Sequence, residues 1–164
     1  MFDPVRICKI LNEESVDYVV IGGFAAVIHG SSLPTRDLDI VPERSTENLD
    51  RLGRALHRMN AMIRTADEPV PAPLDGSFLA NVSVMLNLVT DFGDMDVAFS
   101  PSGHLGGFEG WSRHATTEEL GTGLTVLVGS LDDIIDSKKS ANRLKDRRDL
   151  PYLESLRDVS KGDI

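Results

Sequence analysis

Two short segments decide the fold of this chain: residues 18–23 (Tyr-Val-Val-Ile-Gly-Gly) and, after thirteen further residues, residues 37–40 (Asp-Leu-Asp-Ile). The first segment predicts a buried strand that runs into a glycine turn at the start of a helix. Side chains alternate between the two faces of a strand, so the second segment places two carboxylates on one face and two apolar side chains on the other. The sequence thus predicts two strands, one of which carries an acidic face.

The acidic face predicts a metal site. Two neighbouring carboxylates, those of Asp37 and Asp39, repel each other unless a cation lies between them. Mg²⁺ takes oxygen ligands and is normally shared with substrate phosphates. Backbone N–H groups at a glycine turn that opens a helix can bind a phosphate, so Gly22 and Gly23 are predicted phosphate contacts. An anion site beside a cation site indicates a nucleotide substrate.

A second Asp-x-Asp, formed by Asp94 and Asp96, supplies a third carboxylate. Asp96 lies deeper in its predicted strand, whereas Asp94 lies next to a turn, and Asp96 is therefore the preferred ligand. Three carboxylates on strands suit two Mg²⁺ ions and in-line nucleotidyl transfer. In this hypothesis Asp37 and Asp39 bridge the two ions, while Asp96 helps to hold one ion and accepts the proton of an attacking hydroxyl.

The composition is that of a globular protein with an uneven distribution of charge. The 164 residues are 41% hydrophobic and 26% charged, which predicts one domain over residues 1–164 with residues 130–164 as a C-terminal helical segment. A net charge of −9 argues against a general affinity for nucleic acid. Residues 138–148, however, contain six basic residues and one acidic residue. This basic segment is either a solvated helix face or part of a site for a polyanion.

The sequence also predicts the cellular location of the protein. No apolar run approaches the roughly 20 residues that cross a membrane, and the first residues do not have the pattern of a secretory signal. The single cysteine, Cys8, cannot form an internal disulfide and is expected in the core. A cytoplasmic protein that makes no contact with membranes is therefore expected.

Hydrophobic periodicity predicts a chain of helices and strands that ends in two helices. The predicted helices are residues 4–14, 24–30, 46–59, 131–144 and 146–156. The predicted strands are residues 16–21, 37–41, a strand within 78–89, 94–99, and a hairpin of 116–120 with 124–128. Residues 66–76 and the glycine-rich residues 100–110 are predicted loops.

The glycine and aspartate segments resemble a known signature. Ile21-Gly22-Gly23 followed by residues 37–40 resembles the polymerase-β-like nucleotidyltransferase superfamily, with its hydrophobic residue, Gly-Gly or Gly-Ser, spacer and Asp-h-Asp-h. Residues 22–30 and 35–39 resemble the branch that includes the AbiEii- and MenT-like toxins of bacterial toxin–antitoxin pairs. Residues 131–150 are similar to the Lys…Arg-x-Lys-Asp-x-x-Asp-Leu helix pair of that branch, although the toxins are usually longer and carry a further helical domain.

The resemblance implies an α+β fold, in which helices pack on a mixed, twisted β-sheet and two helices form the C-terminal part. It also adds residues and partners to the prediction. It implies that Lys138 contacts the triphosphate, that Asp146 belongs to the second motif, that the acceptor is RNA, with tRNA first, and that a cognate antitoxin protein binds the enzyme. Arg36, next to the first aspartate, is a further predicted contact of the triphosphate. The predicted nucleotide-binding residues are therefore Gly22, Gly23, Arg36, Lys138 and Asp146.

Three hypotheses about function remain open at this point. The first is Mg²⁺-dependent transfer of a nucleoside monophosphate from an NTP to RNA, which the basic segment favours. The second keeps the chemistry but uses a small molecule as acceptor, as in the aminoglycoside nucleotidyltransferases, and the acidic body of the protein favours this cationic acceptor. The third is a partner-binding module without catalysis, against which the retained carboxylates argue.

Overall fold

The two Asp-x-Asp segments form neighbouring strands in the centre of a seven-stranded sheet, in a computed structural model that describes residues 1–162. The strands are β1 (Tyr18–Ile21), β2 (Asp37–Pro42), β3 (Met62–Ile63), β4 (Met85–Thr90), β5 (Gly93–Ala98), β6 (Thr116–Glu119) and β7 (Thr125–Val128). The helices are α1 (Pro4–Glu13), α2 (Gly22–Ile28), α3 (Thr46–Arg58), α4 (Gly76–Ala80), α5 (Phe108–Ser112), α6 (Leu131–Ala141) and α7 (Leu144–Ser160). The predicted α+β class, mixed sheet and pair of C-terminal helices are confirmed.

The register of the sheet aligns the acidic segments. The strands lie in the order β3-β4-β5-β2-β1-β7-β6, with β2 antiparallel to β1 and parallel to β5. Asp39 is paired with Asp96 across β2 and β5, and with Ile21 across β2 and β1. Directly paired residues point to the same face of a sheet. The pairing therefore brings the end of β1 and both acidic strands to one place.

Burial of the opposite face of β2 fixes this register. Leu38 and Ile40 are fully buried in the main hydrophobic core. A slip of one residue would move these apolar side chains out of the core and the carboxylates into it, so the alternative register is strongly disfavoured. The hydrophobic core thus determines where the acidic side chains lie.

A second, smaller hydrophobic cluster attaches the C-terminal helices. Ala26 of α2 packs with Leu131 and Ile135 of α6 and with Leu153 of α7. The two last helices are therefore held against the helix that follows the glycine turn. In residues 1–162, no helix is long and apolar enough to cross a membrane.

Several short elements differ from the prediction, because they lack the length that periodicity requires. The short strand β3 lies where the sequence predicted no element, whereas the one-turn helices α4 and α5 overlap segments that are predicted as loops or a strand. Asp75 caps α4 by accepting a hydrogen bond from the Phe78 N–H at 2.9 Å. Helix α6 ends at Ala141, three residues earlier than predicted, and α7 begins at Leu144, two residues earlier.

Gly22 allows the backbone at the start of α2 to approach the acidic face closely. Its φ of +70° lies in the left-handed region, which favours glycine. A Cβ atom at this position would also overlap Oδ2 of Asp39. Glycine is thus required here for its backbone conformation and for the space that the carboxylate occupies.

We expect Gly22→Ala to destabilise the protein more than Gly121→Ala. Gly121 has the same φ of +70° in the β6–β7 turn, but a Cβ atom at this position would meet no heavy atom within 4 Å. The control should therefore lose only the backbone contribution, about 1–2 kcal/mol. Gly22→Ala should lose roughly 2 kcal/mol more because Asp39 must move. Urea unfolding of both variants measures the difference, and equal losses would contradict the proposed overlap.

Candidate active site

A cavity of about 310 Å³ lies over the acidic face, between the sheet and helices α2, α6 and α7. Six of the eight predicted site residues line it: Gly22, Gly23, Asp37, Asp39, Asp96 and Lys138. The fold therefore brings together residues that the sequence separates by more than a hundred positions.

A larger cavity of about 840 Å³ lies between α3 and residues 72–76. Its walls include apolar residues such as Leu56, Ala61 and Leu74, and it shares no lining residue with the cavity over the acidic face. In residues 1–162, only Asp37, Asp39 and Asp96 form a group with metal-ligand geometry. The smaller cavity is therefore the candidate active site.

The three carboxylates form a compact cluster. Asp37, Asp39 and Asp96 each place one oxygen within 4.8 Å of the other two. Burial, followed by the negative charges of Asp37 and Asp96, raises the pKa of Asp39 well above its usual range, although the charge of Lys138 opposes this. A hard divalent cation with oxygen ligands would relieve the repulsion, so the donor set fits Mg²⁺.

The geometry also separates Asp96 from Asp94, the alternative third carboxylate. The side chain of Asp94 is 41% exposed, and its carboxylate lies 3.4 Å from Arg64. Asp96 is buried and belongs to the cluster. The structure thus places Asp96, which the sequence favoured, in the cluster with Asp37 and Asp39, and leaves Asp94 outside it.

Arg64 is a site residue that the sequence did not indicate. Its Nη2 donates a hydrogen bond of 2.6 Å to Oδ1 of Asp96, and its Nη1 donates one of 3.2 Å to the carbonyl of Leu88. Burial raises the pKa of Asp96 despite the opposing charge of Arg64. Arg64 follows the two-residue strand β3 and stands in no recognisable motif, so only the pairing of β3 with β4 and β5 reveals it.

Lys138 and Asp146 act as a pair. Nζ of Lys138 lies 3.5 Å from Oδ1 of Asp146, which is fully buried. Burial alone would raise the pKa of Asp146, but hydrogen bonds from Arg143 and the charge of Lys138 outweigh it and lower the pKa. Asp146 does not line the cavity. It stabilises Lys138 and Arg143, which do.

Arg143 also organises the start of α7. Its N–H and its Nε donate hydrogen bonds of 3.1 and 2.8 Å to Oδ2 of Asp146, which is the third residue of the helix. Arg143 and Lys145 both line the cavity. Both residues belong to the basic segment 138–148, but neither is among the site residues that the sequence predicts.

Arg36 and Trp111 make little or no contribution to the surface of the cavity. Arg36 is exposed, is not part of the wall and has no ion pair within residues 1–162. Its predicted contact with a triphosphate stays a prediction. Trp111 lines the cavity but is only 1% exposed, so it packs beneath the cavity floor.

The fold is that of the nucleotidyltransferases. Two solved structures resemble it over almost their whole length. The lincosamide antibiotic adenylyltransferase LnuA, with lincomycin bound, gives a TM-score of 0.61 at 15% identity, covering 92% of this chain and 94% of LnuA. TM1012 from Thermotoga maritima, assigned as a nucleotidyltransferase, gives 0.56 at 16% identity, covering 94% and 96%. No family model and no curated protein matches the sequence.

At these identities, the likeness shows the fold alone. It confirms the nucleotidyltransferase fold that the glycine and aspartate segments predicted. These two structures do not test the resemblance to the AbiEii- and MenT-like branch, which therefore stays a prediction. The acceptor and the role in a toxin–antitoxin pair are likewise untested.

Asp39→Asn should stabilise the protein when no divalent cation is present. Because folding raises the pKa of Asp39, the folded state binds its proton more tightly than the unfolded chain, and without metal the free energy of unfolding falls as pH rises above about 4. The substitution removes this penalty, so we expect a Tm increase of roughly 3–10 °C in EDTA at pH 8. Mg²⁺ should raise the Tm of the wild type and not that of the variant.

The matched control for this experiment is Asp94→Asn, which removes a carboxylate from the same face of β5 but outside the cluster. Its Mg²⁺-induced increase in Tm should equal that of the wild type. If Asp94→Asn abolishes the increase while Asp39→Asn retains it, the ligand assignment is wrong.

Arg64→Ala should lower the Tm without metal and enlarge the increase that Mg²⁺ produces. Removal of the guanidinium leaves Asp96 buried without its positive partner, which costs about 1–3 kcal/mol in a partly exposed pair. A divalent cation can replace that positive charge. Arg54→Ala is the control, because Arg54 forms an exposed ion pair with Glu14 at 3.4 Å. An unchanged Mg²⁺ response in Arg64→Ala would show that Arg64 does not act on the cluster.

Proposed function

We propose that this protein is a Mg²⁺-dependent nucleotidyltransferase that transfers a nucleoside monophosphate from an NTP to a hydroxyl acceptor. One observation carries the proposal: three carboxylates on adjacent strands share a cavity with a glycine turn and a largely buried lysine. The cluster supplies ligands for a hard cation, and the lysine supplies a positive charge for phosphate oxygens.

Asp37, Asp39 and Asp96 would hold the metal, with two ions proposed. Bound Mg²⁺ would supply charge neutralisation for the triphosphate and would lower the pKa of the acceptor hydroxyl. In the reaction, a bond forms between the acceptor oxygen and the α-phosphorus, the bond to the bridging α–β oxygen breaks, and pyrophosphate leaves. Asp96 accepts the hydroxyl proton, while Arg64 fixes its Oδ1 by a 2.6 Å hydrogen bond.

The phosphate contacts would come from the opposite side of the cavity. Lys138, Arg143 and Lys145 are the basic side chains of its wall. Asp146 holds Lys138 and Arg143 in place and remains ionised, because its pKa is lowered. Gly22 and Gly23 would contribute backbone contacts to the triphosphate. The role of the side chains is to position the reactants and to neutralise charge.

For the acceptor we propose RNA, with tRNA first. Lys145 and Arg147 at the start of α7 are exposed and form no ion pair within residues 1–162. Together with Arg143, whose side chain is 68% exposed, they form a basic rim beside the cavity. Such a local positive field attracts a polyanion even on a protein with a net negative charge. The proposed toxin role and antitoxin partner rest on the resemblance of residues 22–39 and 131–150.

A small-molecule hydroxyl compound is the second candidate acceptor. The observation that favours it is the likeness to LnuA, which acts on a lincosamide antibiotic and matches this chain over 94% of its length. The same carboxylates and basic residues serve both acceptors. The two kinds of acceptor would differ only in their contacts with the part of the cavity wall that follows Asp96 along β5.

The experiment is an assay of label transfer from each α-labelled NTP, with Mg²⁺ and with total RNA, tRNA, lincomycin or an aminoglycoside panel as acceptor. We expect labelled product with the wild type and a loss of about 10²–10⁴-fold with Asp96→Asn. Asp136→Asn, on the exposed surface of α6, should retain wild-type activity. Transfer that is equal in wild type and Asp96→Asn, or none to any acceptor by a folded wild type, would overturn the proposal. The second result leaves a partner-binding module of the same fold.

A further inference from the structure

The charged residues of the cavity are confined to part of its wall. The basic side chains Lys138, Arg143 and Lys145 all come from the C-terminal helices and the two-residue connection between them. The only acidic side chains of the wall, in the described part of the chain, are the three aspartates of the cluster. Every carboxylate that faces the cavity is therefore assigned to the metal site by the proposed function.

The wall beyond Asp96 is uncharged and largely apolar. Ala98 lies two residues further along β5 on the same face as Asp96, and Met85 is paired with Ala98 across β4 and β5. Pro101 continues this wall, and Ser102 adds a hydroxyl beside it. Ala98 and Pro101 are buried, whereas Met85 is 46% exposed and lies at the mouth of the cavity. We name Met85, Ala98 and Pro101 the neutral wall.

The position of the neutral wall identifies its ligand. The proposed function assigns the basic side chains to the triphosphate, so the acceptor is left with the uncharged part of the wall, which adjoins Asp96 along β5. An ammonium group on the neutral wall would lose water and find no free carboxylate, which is strongly unfavourable. An uncharged ring or base would bury apolar area against Met85 and Pro101 at no such cost.

We infer that the neutral wall is the acceptor subsite, and that it accepts a hydroxyl carried on an uncharged, partly apolar group and excludes polycationic acceptors. This inference rests on the proposed function and narrows its substrate class. The terminal nucleoside of an RNA and an uncharged small molecule share the required chemistry. An aminoglycoside does not, so the acidic surface of the protein does not determine the choice of acceptor.

Met85→Glu tests the inference, because it places a carboxylate on the neutral wall opposite Ala98. Val84→Glu is the matched control, since it adds the same charge at a 58% exposed neighbour that does not line the cavity. The probes are an RNA oligonucleotide ending in adenosine, free adenosine, lincomycin and kanamycin. Transfer kinetics and calorimetric binding of kanamycin, which requires no turnover, are measured for all three proteins.

We expect Met85→Glu to raise the KM of the oligonucleotide or of adenosine at least about tenfold, with little change in the KM of the NTP. The same variant should gain measurable kanamycin binding, which the wild type and Val84→Glu lack. Transfer to the oligonucleotide alone identifies RNA as the source of the acceptor group, and transfer to adenosine or lincomycin identifies a small molecule.

Three results would overturn the inference, and they do so in different ways. Binding of kanamycin to the wild-type cavity, or transfer to kanamycin as efficient as transfer to adenosine or to the adenosine end of the oligonucleotide, overturns the neutral subsite and leaves nucleotidyl transfer intact. Unchanged acceptor KM in Met85→Glu does the same. Absence of transfer to every acceptor, with folded protein, overturns the proposed function and the subsite together.

Discussion

Electrostatic repulsion among three aspartates is the constraint on which the rest of this structure depends. The pairing of β2 with β5 forces Asp37, Asp39 and Asp96 to within 4.8 Å of one another, and burial makes the repulsion stronger. Leu38 and Ile40 on the opposite face of β2 are buried in the core, and this hydrophobic burial offsets the electrostatic cost. A register that moved the carboxylates apart would expose these two side chains. The folded protein thus contains a local electrostatic repulsion that a bound cation would relieve.

The neighbouring positive charges are placed so that they moderate the repulsion without filling the centre of the cluster. Arg64 binds one oxygen of Asp96 from the side of β3 and β4. The charge of Lys138 acts on Asp39 from helix α6, where Nζ of Lys138 lies 3.5 Å from Asp146. A guanidinium and an ammonium are thus directed at the cluster from two different layers of the fold, and each is held by a further hydrogen bond or ion pair.

Much of this arrangement could be predicted from the sequence, because the deciding signals are local. The alternation in residues 37–40 indicates an acidic face, and the second Asp-x-Asp indicates its partner. Arg64 could not be predicted, because its contact with Asp96 depends on how a two-residue strand pairs across β4, and two residues carry no periodicity. The indirect role of Asp146 was equally hidden, since burial is a property of packing and not of the motif.

The parallel pairing of β2 with β5 has a consequence for how the protein is made. The elements α3, β3, α4 and β4 connect β2 to β5 in the sequence, so Asp39 and Asp96 can pair only after all of them have been synthesised. Lys138 follows later in the sequence, on α6. Such non-local pairing forms slowly, because loop closure precedes any gain in contacts. During synthesis, Asp37 and Asp39 therefore lack their third carboxylate until β5 has emerged from the ribosome, and the cavity lacks its basic side chains until α6 and the start of α7 have emerged. The complete site thus forms only after these later elements have been made.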